Sequence, residues 1–328
     1  MNYEEKITIN VTERLYNRIT DDIRVYGKLK NNGEPNINEF LNTVISNYFD
    51  EYSDSYSDMI DRIAQVVGED EKGSRRKAQE IVRLMNMPGK TGPKEKTNRH
   101  IAVKPTKYSF NEDRLEEIDR ISSGYGLSFS EYFRNMLEAY FEMPQYRRER
   151  VYYKSLCDTI GTAIRKQRAL RIRTQRSSIT VYPRYLVSSP EELFNYLLAE
   201  DPDGKCYTFR ISRIISAAVV NREVCVYRPE NDEYFRQALQ SPQYSGVYDD
   251  HICVQLTEQG KNMFRVIYFD RPVPVRTEGN LYWFSGSVMQ IRNYFSRFGK
   301  DAVIIEPVFL RKQLSSYYEE ALNAYREE

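Results

Sequence analysis

One helical pattern occurs twice in this chain without a gap, and it restricts what the first part of the chain can become. Ile37-Asn38-Glu39-Phe40-Leu41 through Tyr48-Phe49 recurs as Phe129-Ser130-Glu131-Tyr132-Phe133 through Tyr140-Phe141, 92 positions later. In the first copy Ile37, Phe40, Leu41, Val44, Ile45, Tyr48 and Phe49 fall at helical spacing and form a wide apolar stripe. Asn36, with Glu39 three residues on, is a capped helix start. A shorter helix precedes each copy. The first carries Leu15, Ile19 and Ile23 between an N-cap at Thr12 and a stop near Gly27; the second carries Leu115, Ile118 and Ile121 and stops at Gly124 or Gly126. Before the first lies an alternating strand with Ile7, Ile9 and Val11 on one face and Lys6, Thr8 and Asn10 on the other. Its counterpart, within 101–110, is a poorer strand because Pro105 interrupts it. Each copy has only about fifty residues, too few to enclose a core alone. The two are therefore expected to pair with each other about a pseudo-two-fold axis, or with copies from a second chain.

Between the copies, Ser53–Met87 reads as helix in two pieces, and MPGKTGPKEKTNRH as a mobile or extended basic linker. Pro144 breaks the second copy and starts a basic helix through Arg168, buried along Val151, Leu156, Ile160, Ala163 and Ile164. Four strand-like runs follow, Ala169–Thr174, Ile179–Tyr182, Tyr196–Ala199 and Tyr207–Ile211, with turn signals at Gln175–Ser178 and Asp201–Gly204. Short strands joined by tight turns point to a small barrel, because closure removes the exposed edges. Alternation puts Leu170 and Ile172 on one face and Arg171 and Arg173 on the other. The last run sets Phe209 and Ile211 against Arg210 and Ser212, with Arg213 just beyond. Further on, the pattern predicts a helix over 233–240, a hairpin of Ile252–Leu256 and Phe264–Phe269 around Glu258–Asn262, and a strand over 281–284. It ends with a helix over 288–298 stopped by Gly299, a strand over 302–305 and a helix over 309–325. The expected class is α+β, divided as 1–52, 53–97, 98–143, 147–225 and 226–328, the last an α/β sandwich.

Formal net charge is +1, from 48 Lys and Arg against 47 Asp and Glu, so nucleic-acid binding has to come from a local patch. One such patch runs through Arg147, Arg148, Arg150, Lys154, Arg165, Lys166, Arg168, Arg171, Arg173 and Arg176. Guanidinium groups interleaved with Tyr152, Tyr153, Tyr182 and Tyr185 suit phosphates and unstacked bases; the same pattern also describes a merely solvated face. Arg292, Arg297, Arg311 and Lys312 either extend that surface or serve solubility. Cys157, Cys206, Cys225 and Cys253 have no C-x-x-C spacing and read as reduced thiols of a cytoplasmic protein. No apolar run approaches a membrane span, and MNYEEKITIN has no signal-peptide core. No catalytic residues, metal site or cofactor are expected: His100 and His251 lie in different expected domains, and there is no phosphate-binding Gly-rich loop.

Tyr182-Pro183-x-Tyr185-Leu186, Asn195-Tyr196-Leu197 and Phe209-Arg210-x-x-Arg213-Ile214 together resemble the WYL domain, a small Sm-like barrel of prokaryotic regulators. Asn195 stands where that family has its first aromatic, and Arg171-Ile172-Arg173 where it often has Tyr-x-His. The resemblance implies nucleic-acid or nucleotide-like ligands and carries that role to Arg171, Arg173, Tyr185, Arg210 and Arg213; the basic helix adds Arg165, Lys166 and Arg168. The N-terminal copies resemble ribbon-helix-helix units, which implies Lys6, Thr8 and Asn10 as readers of duplex DNA. The last segment resembles the extension that commonly follows WYL domains. The combination is similar to the WYL accessory proteins of type VI-D CRISPR-Cas systems. That implies a homodimeric, non-catalytic protein that binds single-stranded RNA and raises the activity of an RNA-targeting effector nuclease. Two other readings stay open: a transcriptional regulator binding duplex DNA through its ribbons with the barrel as ligand sensor, and a scaffold that docks the nuclease through protein contacts alone.

Overall fold

The computed structural model describes residues 7–68, 71–85, 99–104, 112–124, 126–175, 177–189, 194–244 and 248–326. The chain forms two compact units, Met1–Lys154 and Ser155–Glu328, with mixed helix and sheet.

The first unit runs β1 (Ile7–Val11), α1 (Glu13–Val25), α2 (Ile37–Val67), α3 (Glu71–Met85), β2 (Arg99–Val103), α4 (Glu112–Gly124), α5 (Phe129–Glu142) and α6 (Gln145–Tyr152). Alternation in β1 buries Ile7, Ile9 and Val11. The strand pairs antiparallel with β2, which ends before Pro105, so the two strands join within the chain. The central pair is Ile9 with Ile101, 92 positions apart, so the middle residue of each strand meets its own repeat counterpart. The repeat reaches the caps as well. Asn36 Oδ1 accepts from the Glu39 N–H, and Ser128 and Glu131 form a reciprocal capping box at the start of α5. Gly27 and Gly126 follow α1 and α4 with the same φ of +67°, a left-handed conformation that disfavours a side chain. Those helices are 99 rather than 92 positions apart; α4 starts late, and a shorter loop after it restores the offset.

The second helix of the first copy does not stop near residue 52. It continues for 31 residues, because Tyr52, Tyr56 and Ile60 prolong its buried stripe. The core is aromatic: Phe40, Phe49, Tyr132, Phe133, Tyr140 and Phe141 are all fully buried. Burial pushes the Tyr52 hydroxyl well above its ordinary range, helped by the neighbouring Tyr132.

The second unit begins with α7 (Lys154–Arg165), β3 (Arg168–Thr174), β4 (Ser178–Ser189), β5 (Phe194–Glu200), β6 (Cys206–Arg210) and β7 (Ile214–Val224). The expected single basic helix is thus two, α6 and α7. After α7 the chain turns at Gln167, with φ +49°, and Arg168 already belongs to β3. The five strands form one antiparallel sheet in the order β6-β5-β4-β3-β7, with a 3-10 turn at Ile211–Arg213 before β7. β7 is not foreseen from its sequence, IISAAVVNREV, which lacks a clean period of two; it pairs with β3 along that strand's whole length.

Then come α8 (Asp232–Gln240), β8 (Tyr248–Leu256), α9 (Glu258–Val266), β9 (Arg276–Glu278), β10 (Leu281–Ser287), α10 (Val288–Phe295), β11 (Ala302–Glu306) and α11 (Val308–Ala324). The expected hairpin over 252–269 is wrong. Its second arm and turn are largely α9, and β8 pairs instead with β10 and β11 in the order β11-β8-β10-β9. Thr257 caps α9, accepting from the Gly260 N–H at 3.0 Å and donating to Asp301 Oδ1 at 2.7 Å. Gly260 is a packing glycine rather than a turn glycine, since a Cβ there would collide with the Asp301 carbonyl oxygen. Ile252, Val254, Leu256, Phe284, Ile291, Tyr294, Phe295, Ile304 and Leu310 close the core between this sheet and its helices.

Candidate nucleic-acid interface

The period of two in β3 sets the geometry of the surface. Leu170 and Ile172 have no exposure, whereas Arg171 and Arg173 are exposed. Register places Arg171 between Thr180 of β4 and Ala218 of β7, and Arg173 between Ser178 and Ser216. Directly paired residues project to the same side of a sheet, so each guanidinium rises between short side chains that cannot cover it. Among the described residues neither makes an ion pair.

Other candidates gather at the two ends of this strand. Arg165 and Lys166 are exposed at the end of α7, with Arg165 donating to Thr162 Oγ1 at 3.2 Å, and Arg168 is half-buried opposite Val224. Arg213 is exposed and directly precedes Ile214, which pairs with Thr174, so it lies beside the far end of β3. The strand itself is roughly 20 Å long at ordinary strand rise. Arg176 lies outside the described residues.

Arg210 and Tyr185 are placed differently. Arg210 is half-buried at the end of β6, with its guanidinium carbon 3.1 Å from the centre of the Phe194 ring. In the hydrogen-bonded order, β4 and β5 separate it from β3. Tyr185 is 40% exposed, but it pairs with Leu198 and its ring lies 6.3 Å from Phe235 of α8, away from the arginines of β3. Tyr182 is buried, and Tyr152 is a core residue stacked on Phe40 at 5.4 Å, so neither offers an open ring face. Arg148 leaves the basic patch too: it grips the buried Asp22 carboxylate through two hydrogen bonds of 2.8 and 2.9 Å.

Two residues that sequence reasoning missed organise the rest of this sheet. Arg184, where β4 bulges between Pro183 and Tyr185, donates to Glu200 Oε1 at 3.2 and 3.0 Å and to Asp232 at 2.5 Å. Its guanidinium lies 4.7 Å from the ring centres of both Tyr227 and Phe235. Glu200 is fully buried and also accepts from the Arg228 N–H at 3.1 Å and Asn231 Nδ2 at 2.5 Å. Burial works against the Arg184 charge, but Asp232 and Glu200 outweigh it and hold the group above its ordinary value. The same surroundings affect Cys206, whose thiol is pushed up to about 11 by burial and by Glu200. A sequence signal for Glu200 exists: it ends the apolar run Tyr196–Ala199, where a charge needs a partner.

In the first unit, Thr8 is exposed opposite Ala102, and Asn10 opposes His100 with 2.5 Å between Asn10 Oδ1 and His100 Nδ1. The Asn10 N–H donates to Ser130 Oγ at 2.8 Å. Lys6 lies outside the described residues. Among the described residues, no group of three or more His, Cys, Asp or Glu is placed to hold a metal ion, and no helix is long and apolar enough to cross a membrane. None of the four cysteines is joined in a disulfide.

No family model matches the chain, and no curated protein matches it. Among solved structures, one described as the crystal structure of a CRISPR Cas-related protein superposes with a TM-score of 0.73 at 19% identity, covering 98% of this chain and 94% of that one. Proteasome accessory factor B/C of Arthrobacter aurescens matches with a TM-score of 0.27 at 20% identity, over 70% of this chain and 38% of that one, too low to equate the folds. Over nearly its whole length, then, this chain has the fold of a CRISPR Cas-related protein.

Proposed function

We propose that the chain is a non-catalytic cytoplasmic accessory protein that binds single-stranded RNA and raises the activity of an RNA-targeting CRISPR effector nuclease of type VI-D. The observation that carries this reading is the strip on β3, where Arg171 and Arg173 stand exposed, without ion pairs among the described residues, between Thr180, Ala218, Ser178 and Ser216. Guanidinium groups spaced along an open strand neutralise phosphates without reading bases. A helix followed by antiparallel strands in the order β6-β5-β4-β3-β7, with a 3-10 turn before the last, suits an Sm-like WYL barrel. A strand followed by two helices, twice, with the strands paired, suits tandem ribbon-helix-helix units. The CRISPR context of the neighbour's description supports the same assignment.

In this account Arg165, Lys166, Arg168 and Arg213 continue the phosphate track at either end of β3, and Arg210 holds Phe194 and the end of β6 in place. The active species is a homodimer. Target-RNA cleavage by the effector with its guide, measured with and without this protein, tests the proposal. Wild type is expected to raise the rate and the Arg171→Ala/Arg173→Ala double variant to lose most of that increase. Equal stimulation by both would overturn the role of the strip.

The paired ribbon favours a second reading, duplex-DNA binding through Thr8 and Asn10. Its two halves are unlike, however: the repeat counterparts of Thr8 and Asn10 are His100 and Ala102. A palindromic operator needs matching halves. Loss of duplex-DNA binding in Thr8→Ala/Asn10→Ala, with β3 variants unaffected, would favour this reading instead.

A further inference from the structure

In the second unit, α10 and α11 are held apart at a fixed spacing and leave an open groove of about 380 Å³ between them. The Tyr318 hydroxyl donates to the carbonyls of Phe295 and Ser296 at 3.4 and 3.2 Å, and Leu310 and Leu314 pack into the core beneath. Arg292, Asn293 and Ser296 of the α10 side face Gln313, Leu314 and Tyr317 of α11. The groove is within the size range of small-ligand sites.

Its chemistry is specific. Arg292 is exposed, and among the described residues it has no carboxylate partner, only a 3.5 Å hydrogen bond to Asn293 Oδ1. Tyr317 is 54% exposed, and its only described ring contact is with Tyr318 at 5.6 Å. Gln313 is exposed and offers both a donor and an acceptor. Leu314, 4% exposed, supplies an apolar floor. A guanidinium without a carboxylate partner suits a phosphate, an open aromatic face above an apolar floor suits a flat heterocycle, and an amide suits that heterocycle's hydrogen-bonding edge.

One turn along from Asn293, Arg297 donates to the Phe269 carbonyl at 3.4 Å and tethers the loop that follows α9. Gln290 and Tyr294 hold the same loop through the carbonyls of Asp270 and Ile267, at 3.2 and 2.5 Å. The loop presents Tyr268, 79% exposed, and Phe269, 49% exposed. Two further rings are thus fixed to the helix that forms one wall of the groove.

We propose that this groove binds a nucleotide unit, with the phosphate on Arg292 and the base on Tyr317. The site is separate from the β3 strip and does not depend on it. The unit is either a free mononucleotide or one nucleotide of an RNA strand. Calorimetric titration of the full chain with adenosine 5′-monophosphate, inorganic phosphate and a short oligoadenylate distinguishes the two. Arg292→Ala and Tyr317→Ala are each expected to weaken the mononucleotide about tenfold, while Tyr317→Phe keeps affinity because the stacking face survives. The Arg171→Ala/Arg173→Ala variant should bind the mononucleotide like wild type, so failure of the strip and failure of the groove are told apart. Weakening of the oligomer as well by the groove variants assigns the site to a strand; weakening of the mononucleotide alone assigns it to a free nucleotide. Mononucleotide binding that is absent, or equal in every variant, would overturn the proposal. So would a Tyr317→Ala variant that only loses a dimer, which would make the groove a contact between copies.

Discussion

Arg184 and Arg171 are the same residue type on adjacent strands of one sheet, yet their surroundings differ completely. Arg184 is 9% exposed, with a fully buried carboxylate, a second carboxylate and two aromatic rings around it. Arg171 stands in the open between a threonine and an alanine, with no ion pair among the described residues. The α8 side of the sheet is covered, and its arginine serves the fold. The β7 side is uncovered, and its arginines are available to a ligand. What decides an arginine's role here is the size and charge of its cross-strand and covering neighbours.

The sharpest way to break that contrast is to remove Glu200. Glu200→Ala leaves Arg184 without its buried partner and should cost about 3–5 kcal/mol in urea unfolding. Replacing both charges together, as Arg184→Met with Glu200→Leu, should recover only part of that loss, because the Arg228 N–H and Asn231 Nδ2 still lose their acceptor. A change below about 1 kcal/mol for Glu200→Ala would mean the cluster is not structural. Next in size, Arg171→Ala/Arg173→Ala should weaken single-stranded RNA by about tenfold or more and reduce the salt slope by about 1–2. Its unfolding free energy should stay within about 0.5 kcal/mol of wild type, the opposite signature to Glu200→Ala. Arg210→Ala is intermediate. Losing its stack over Phe194 should cost about 1 kcal/mol of stability and less RNA affinity than the β3 double variant loses. The smallest effect belongs to Thr8→Ala/Asn10→Ala, which should leave RNA binding unchanged in the same titration.

The two arginine environments were not equally legible in the sequence. Arg171 and Arg173 follow a clean period of two, so their face could be read directly. Arg184 could not be read that way, because β4 bulges beside Pro183 and its partners Glu200 and Asp232 lie 16 and 48 residues away. Tyr152 has the sequence context of a stacking platform, with arginines before it, but its ring packs against Phe40 far back in the chain. β7 escaped because small and apolar residues follow one another without alternation. The sequence of α9 reads as a turn because Gly260 sits in a polar run, and only the fold brings the Asp301 carbonyl against it. The repeat was legible to the residue in its second helices, and the structure adds what periodicity left open: β1 and β2 pair within the chain.

The most direct test is fluorescence-polarisation binding of a short single-stranded RNA, a single-stranded DNA and a duplex DNA at two salt concentrations, with wild type beside Arg171→Ala/Arg173→Ala. The account predicts RNA binding that falls with salt and is largely lost in the double variant. Preferential binding of duplex DNA, unchanged in that variant, would contradict it and move the function to the paired ribbon.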